Sequence, residues 1–194
     1  MPIESSGSYP MATLTCSCTG QVMWTLPMLP RGTVIRGLRL WPEAVSAAFR
    51  LEGSELRNLT VAGEDVMGTR AAQRLRDHRT VDRWIRSIEP DRRVAAAIEL
   101  LQSHSVERVG MQLALSARQL QRSIVATVGV PPKTLQRVMR LQRFLEYSER
   151  RGDLAAVSAD AGYADQSHLT REVRTLCGLT PARLLAERAG PARQ

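Results

Sequence analysis

The stretch SARQLQRSIVATVGVPP, residues 116–132, returns as DQSHLTREVRTLCGLTP, residues 165–181, a displacement of 49 positions. Both copies open on a residue that caps helix N-termini, Ser116 or Asp165. Four and eight positions later come apolar residues, Leu120 and Ile124 in the first copy, Leu169 and Val173 in the second. That spacing is one stripe of a helix. An arginine follows each cap by six positions, Arg122 and Arg171, and each copy closes on a glycine, an apolar residue and a proline, Gly129 to Pro132 and Gly178 to Pro181. A repeat of this kind is one supersecondary unit used twice.

The residues just upstream say which unit. Val109-Gly110-x-x-x-Ala114-Leu115 precedes the first copy and Val157-Ser158-x-x-x-Gly162-Tyr163 the second. A small residue inside a helix lets another helix cross closely, and a second small residue suits a sharp backbone turn. Helix, turn and newly capped helix make a helix-turn-helix, whose second helix lies in the DNA major groove. The turn of the second unit is one residue longer, since Asp165 is three after Gly162 and Ser116 two after Ala114.

With Leu120 and Ile124 facing inward, Arg118, Gln121 and Arg122 share another face; the same offsets in the second copy give Ser167, Thr170 and Arg171, with Gln166 beside Thr170. Arginine binds guanine through two hydrogen bonds, glutamine binds adenine, and Ser or Thr bonds several base edges. A single such residue is as well read as ordinary solvated helix; the set, on two equivalent helices, is expected to read bases. Ser116, Lys133, Thr134 and His168 are the candidate phosphate contacts.

Between the copies, Pro132 starts a helix with Leu135, Val138, Leu141, Phe144 and Leu145 on its apolar side. To Ser148 it spans about 25 Å at ~1.5 Å per residue. Recognition helices entering successive major grooves lie about 34 Å apart. A rigid connector of this length lets one chain read two half-sites.

From Val106 to Leu185 the sequence resembles the DNA-binding domain of the AraC/XylS family of bacterial transcription regulators, most closely in VSADAGYADQSHLTREVRTLCGLTPARLL. With the preceding helix, Asp91 to Ser103, the resemblance covers roughly half of the chain. It implies seven helices, sequence-specific binding of double-stranded promoter DNA, and control of transcription, usually activation through RNA polymerase. It implies no cofactor, and a homodimer is allowed but not required. The family often has Phe where Ile124 and Val173 stand, and Gly where Ala114 stands. Gly110, inside the first helix of the first unit, costs about 1 kcal/mol against Ala, so the first unit is expected to be the less stable.

The expected fold class is therefore mainly α, two helix-turn-helix units on a linker helix, with residues 91–190 as the DNA-binding domain and residues 1–90 as a short N-terminal region. Charge agrees: the net charge is +8, and Val109 to Leu145 holds six basic residues and no Asp or Glu. A basic excess on the motif-bearing half suits a polyanion. No run of 18 apolar residues marks a membrane span, there is no basic start of a signal peptide, and three cysteines make no disulfide framework. The expected compartment is the cytoplasm.

In the first ninety residues, Met1 to Pro30 reads as poorly ordered, Thr33 to Leu40 as a strand, Glu43 to Arg50 as a short helix and Gly53 to Gly68 as a loop. Met67 to Ile88 reads as one or two helices with Leu75, Val81, Trp84, Ile85 and Ile88 on their apolar sides. A ligand-binding β-barrel needs around eight strands, which forty residues before Trp41 do not supply. The alternatives are a reduced sensor, a misplaced start or a truncated gene.

Enzymatic readings find little support. Cys16 and Cys18 lack the further ligands of a structural zinc site, His78 and His104 have no partner at ligand spacing, and there is no Walker loop or nucleophile motif. Cys177 is expected to pack in the core. The expectation is no enzyme, no catalytic residue and no metal. Two other readings stay open: a truncated or antagonistic regulator acting through protein contacts, and a damage-responsive enzyme–regulator fusion.

Overall fold

The computed structural model describes residues 13–16, 40–57, 59–74, 77–150 and 153–189. Its described part is mainly α-helical. Seven helices follow one another from Arg92: α5 (Arg92–Leu101), α6 (Val106–Gln112), α7 (Ala117–Val128), α8 (Pro132–Arg150), α9 (Leu154–Asp160), α10 (Gln166–Cys177) and α11 (Pro181–Ala189). Local chemistry sets most of their ends. Asp91, Ser105, Ser116, Asp153 and Asp165 each cap the following helix by accepting a backbone N–H with the side chain. Gly129 and Gly178 end α7 and α10 with φ of 86° and 72°, the left-handed conformation that glycine adopts without penalty. Pro132 and Pro181 stand first in α8 and α11, where a missing N–H costs nothing.

Both expected turns form, and by the same device. The N–H of Leu115 donates to Gly110 O at 2.8 Å and that of Ala114 to Met111 O at 3.2 Å; Tyr163 donates to Ser158 O at 3.0 Å and Gly162 to Ala159 O at 2.9 Å. These bond pairs are the Schellman closure of a helix C-terminus. Ala114 has φ of 53° and Gly162 of 90°, so the first unit places a residue with a Cβ where the second has glycine. The small residue Gly110 answers to its own turn: a Cβ there would meet Leu115 O at 2.9 Å. The close approach is made by the chain that follows, not by a crossing helix.

Two apolar cores result. The first joins Val94, Ala97, Ile98 and Leu101 of α5, Val109 of α6, Leu120, Ile124 and Val128 of α7, and Val130 and Leu135. The second joins Leu141, Phe144 and Leu145 of α8, Val157, Ala161, Tyr163, and Leu169, Val173 and Leu176 of α10. Helix α8 serves both, its first turn in one core and its middle in the other. Leu120, Ile124, Leu169 and Val173 are fully buried, so aliphatic side chains fill the places expected to favour Phe.

Ahead of these helices the structure departs from what the sequence leads one to expect. A strand β1 (Thr13–Cys16) pairs antiparallel with β2 (Leu59–Ala62), Thr13 opposite Ala62. Residues 13–16, expected within a poorly ordered stretch, form β1, and 59–67, expected as loop, holds β2 and the helix α2 (Gly63–Met67). Runs of four residues carry no alternation strong enough to read, and their pairing partners are far apart in sequence. The strand expected at 33–40 lies outside the described residues but for Leu40, which has no regular structure. The short helix expected at 43–50 is present as a 3-10 turn, Pro42–Ala44, running into α1 (Val45–Phe49). Where one or two helices were expected over 67–88, there are two, α3 (Thr69–Arg74) and α4 (His78–Arg86); Leu75 of the expected apolar side lies outside the described residues. Trp84 of α4 stacks at a tilt on Phe49 of α1, ring centroids 5.9 Å apart. Helix α1 packs on α7, where Gly53 N–H donates to Ala126 O at 2.6 Å. A Cβ on Gly53 would meet Thr127 O at 2.5 Å and Gly129 N at 2.6 Å. Backbone lies directly on backbone there, at the far end of α7 from its cap.

Candidate nucleic-acid interface

The candidate base-reading residues sit on the two equivalent helices. On α7, Arg118, Gln121 and Arg122 are exposed; on α10, Gln166, Ser167 and Arg171 are exposed and Thr170 is half-buried. Each set lies away from the buried stripe of its own helix, Leu120-Ile124-Val128 or Leu169-Val173-Leu176. Thr170 Oγ1 donates to Gln166 O at 2.9 Å, back to its own helix. Arg174 was not singled out from sequence. It is exposed, one turn on from Thr170 and Arg171 on the same side of α10, and its i, i+3 spacing from Arg171 was the available signal.

The candidate phosphate contacts divide. Lys133, second residue of α8, is exposed and Thr134 is half-buried. A backbone hydrogen bond and the Ser105 hydroxyl hold the Glu107 carboxyl below its ordinary value, and the charge of Lys133 adds a little. Ser116 is occupied with its helix: its Oγ accepts from Gln119 N–H at 3.2 Å, while Gln119 Oε1 accepts from both Ser116 N–H and Ser116 Oγ–H at 2.9 Å. This reciprocal capping box satisfies donors at the start of α7. His168 faces inward. Its Nδ1 accepts from Ala164 N–H at 3.2 Å, its ring meets the Tyr163 ring edge-on at 5.4 Å, and Nε2 lies 4.0 Å from Glu172 Oε1.

Glu172 is the residue that sequence reasoning missed most plainly. Its side chain is only 13 % exposed, and Arg137 Nε donates to Oε1 at 2.7 Å while Arg140 Nη1 lies 3.5 Å from Oε2. Arg140 also lies over the Tyr163 ring, 5.5 Å from its centroid. Burial is the main reason that the Tyr163 hydroxyl is pushed up to about 12, and Glu172 adds to it. The Cys177 thiol is likewise pushed up by burial; it packs at the edge of the second core, as expected. The pairing of Glu172 with α8 joins residues 35 apart, beyond any local pattern.

Among the described residues, no group of three or more His, Cys, Asp and Glu is placed to hold a metal ion; Cys18 lies outside them. Among them also, no helix is long and apolar enough to cross a membrane.

The geometry is thus two capped, outward-facing helices, each behind a Schellman turn, on one connecting helix. Compared with known proteins, residues 110–187 match a family model described as a helix-turn-helix domain. Neither a search of curated proteins nor one of solved structures found a match. The matched residues run from the first turn through α7, α8, α9 and α10 into α11, and so take in both units. They form an AraC-like helix-turn-helix DNA-binding domain, and the chain that carries it is, in general, a DNA-binding transcription regulator.

Proposed function

We propose that this chain is a sequence-specific regulator that reads two successive major grooves with α7 and α10, and that it activates transcription through RNA polymerase. One observation carries the reading: two helices with matched caps and matched buried stripes present exposed polar faces and hang on a single 19-residue helix. Arg118, Gln121 and Arg122 read one groove; Gln166, Ser167, Thr170 and Arg171 read the next. Lys133 and Thr134 hold phosphate. Ser116 and His168 serve it indirectly, Ser116 through the helix start that it caps, His168 by holding the turn before α10. Arg174 joins the second set. Residues 91–190 are the DNA-binding part and residues 1–90 a short N-terminal region, of which the described helix α1 and Gly53 pack on α7. The protein acts in the cytoplasm on promoter DNA, and one copy suffices for two half-sites.

Footprinting with a promoter fragment tests this. A monomer should protect two unlike half-sites about one helical turn apart, and binding should fall with salt at a log–log slope of about −4 to −7, for roughly 5 to 8 phosphate contacts. Arg122→Ala should cost about 1–3 kcal/mol at one base position, whereas Lys133→Ala should weaken all sequences alike. Equal half-sites occupied only by a dimer would overturn the single-chain reading.

A further inference from the structure

Helix α8 is fastened by polar contacts made within a single turn to α5, which packs in the core of the first unit, and to α10 of the second. Gln136 donates both N–H bonds of its amide to the end of α5, to Leu101 O at 2.9 Å and His104 O at 2.7 Å. The next residue, Arg137, points to the other unit and donates to Glu172 at 2.7 Å. Neighbours on a helix diverge by about 100°, so one turn of α8 grips α5 on one side and α10 on the other. Arg140, one turn on, reaches the second oxygen of Glu172.

Apolar packing is non-directional. The charged hydrogen bond from Arg137 Nε to Glu172 Oε1 is directional; Arg140 Nη1, 3.5 Å from Oε2, adds an ion pair without a hydrogen bond. Glu172, 13 % exposed against 34 % and 26 % for Arg137 and Arg140, is desolvated enough that losing its partners is costly. The first unit has Ser123 where the second has Glu172, so the charged clamp acts on one recognition helix alone. Glu172 also precedes the buried Val173 and follows the outward Arg171; whatever fixes it fixes the direction in which Arg171 leaves the helix.

We propose that Glu172, clamped by Arg137 and Arg140 and opposed by Gln136, is a positioning residue that sets the distance and angle between the two recognition helices, so that the protein selects one half-site spacing without Glu172 touching DNA. This rests on the two-groove reading. The test is a set of duplexes in which the two half-sites found by footprinting are moved apart or together in steps of one base pair. The native chain should prefer one spacing by about tenfold over its neighbours, since one step shifts a half-site by ~3.4 Å and turns it about the axis. Glu172→Gln keeps the shape and removes the charge. It should flatten that preference to about threefold while binding to isolated half-sites changes by less than about twofold. Arg137→Gln, at a more exposed position, should flatten it similarly, and the double variant should be no flatter than either single one, as expected of residues acting together. Should Glu172→Gln fail to fold, Arg137→Gln decides alone. A variant that weakens every spacing equally, or keeps the sharp preference, overturns this inference and leaves the two-groove reading standing. If the native chain protects no pair of half-sites, both fall.

Discussion

The two helix-turn-helix units reach one geometry by different means. The first turns at Ala114, a residue with a Cβ in the left-handed region, and opens its second helix with a capping box. It is supported from outside, by α5 in its core and by the Gly53 backbone against the end of α7. The second turns at Gly162, which accepts the conformation freely, and caps with Asp165 alone. It is supported by the connecting helix α8, through the T-shaped pairing of Phe144 with Tyr163 and the ion pairs of Arg137 and Arg140 with Glu172. Repeating a unit therefore repeats its caps and stripe but not its energetics: a strained turn in one copy is tolerated where more of the molecule leans on it.

Separate cores imply separable failure. Phe144 is fully buried in the second core, and Phe144→Ala should cost about 3–5 kcal/mol. Footprinting at moderate urea should then show the Gln166 half-site lost while the Arg118 half-site persists. Simultaneous loss would mean that the two cores unfold as one.

Next in size is one substitution made in both units. Gly129→Ala puts a Cβ at positive φ and into the Gly53 carbonyl oxygen; Gly178→Ala meets the same positive φ but no atom within 4 Å. The first should cost about 2–4 kcal/mol, strain and overpacking together, the second about 1–2 kcal/mol from φ alone. Urea unfolding midpoints measure both, and equal shifts would show that the Gly53 contact contributes nothing to the first unit.

A smaller change should narrow the difference. Ala114→Gly relieves the left-handed strain but adds chain entropy to the unfolded state, and a net gain of about 0.5–1 kcal/mol is expected. The Arg118 half-site is expected to fade first in a urea series on the native chain; in Ala114→Gly the two should fade closer together.

The smallest effect is alkaline. Tyr163 belongs to the second unit only, with Leu115 in its place in the first. Its folded pKa is raised from the ordinary 10 to about 12. The stability tied to its protonated form is therefore complete below pH 10 and is lost as pH rises from there to about 12, because the unfolded chain ionises first. Cys177 works in the same direction from its ordinary 9.0. The second unit should loosen before the first in that window, and Tyr163→Phe should remove most of the difference when thermal unfolding is followed at pH 9 and pH 11.

What was legible beforehand was short in range. Ser116, Asp165, Gly129, Gly178 and Pro132 act on residues within one turn of themselves, and each stands at a helix end. The stripes of α7 and α10 followed from a period of 3.6, and with them the outward direction of Arg118, Gln121, Arg122, Gln166, Ser167 and Arg171. The inward turn of His168 was not legible, because it depends on Tyr163 and Glu172 being in place.

By itself, then, the sequence determined the order of the helices from Asp91 onward, their caps, their buried faces and the doubling of the unit, since hydrogen bonds to the next turn and apolar periodicity are written within a dozen residues. Only the tertiary structure decided how these pieces are held: the pairing of Thr13–Cys16 with Leu59–Ala62, the backbone of Gly53 on Gly129, and the grip of Gln136 on the end of α5 and of Arg137 on α10. Such contacts join residues tens of positions apart, and whether a carboxylate such as Glu172 is solvated or clamped depends on what the fold brings beside it.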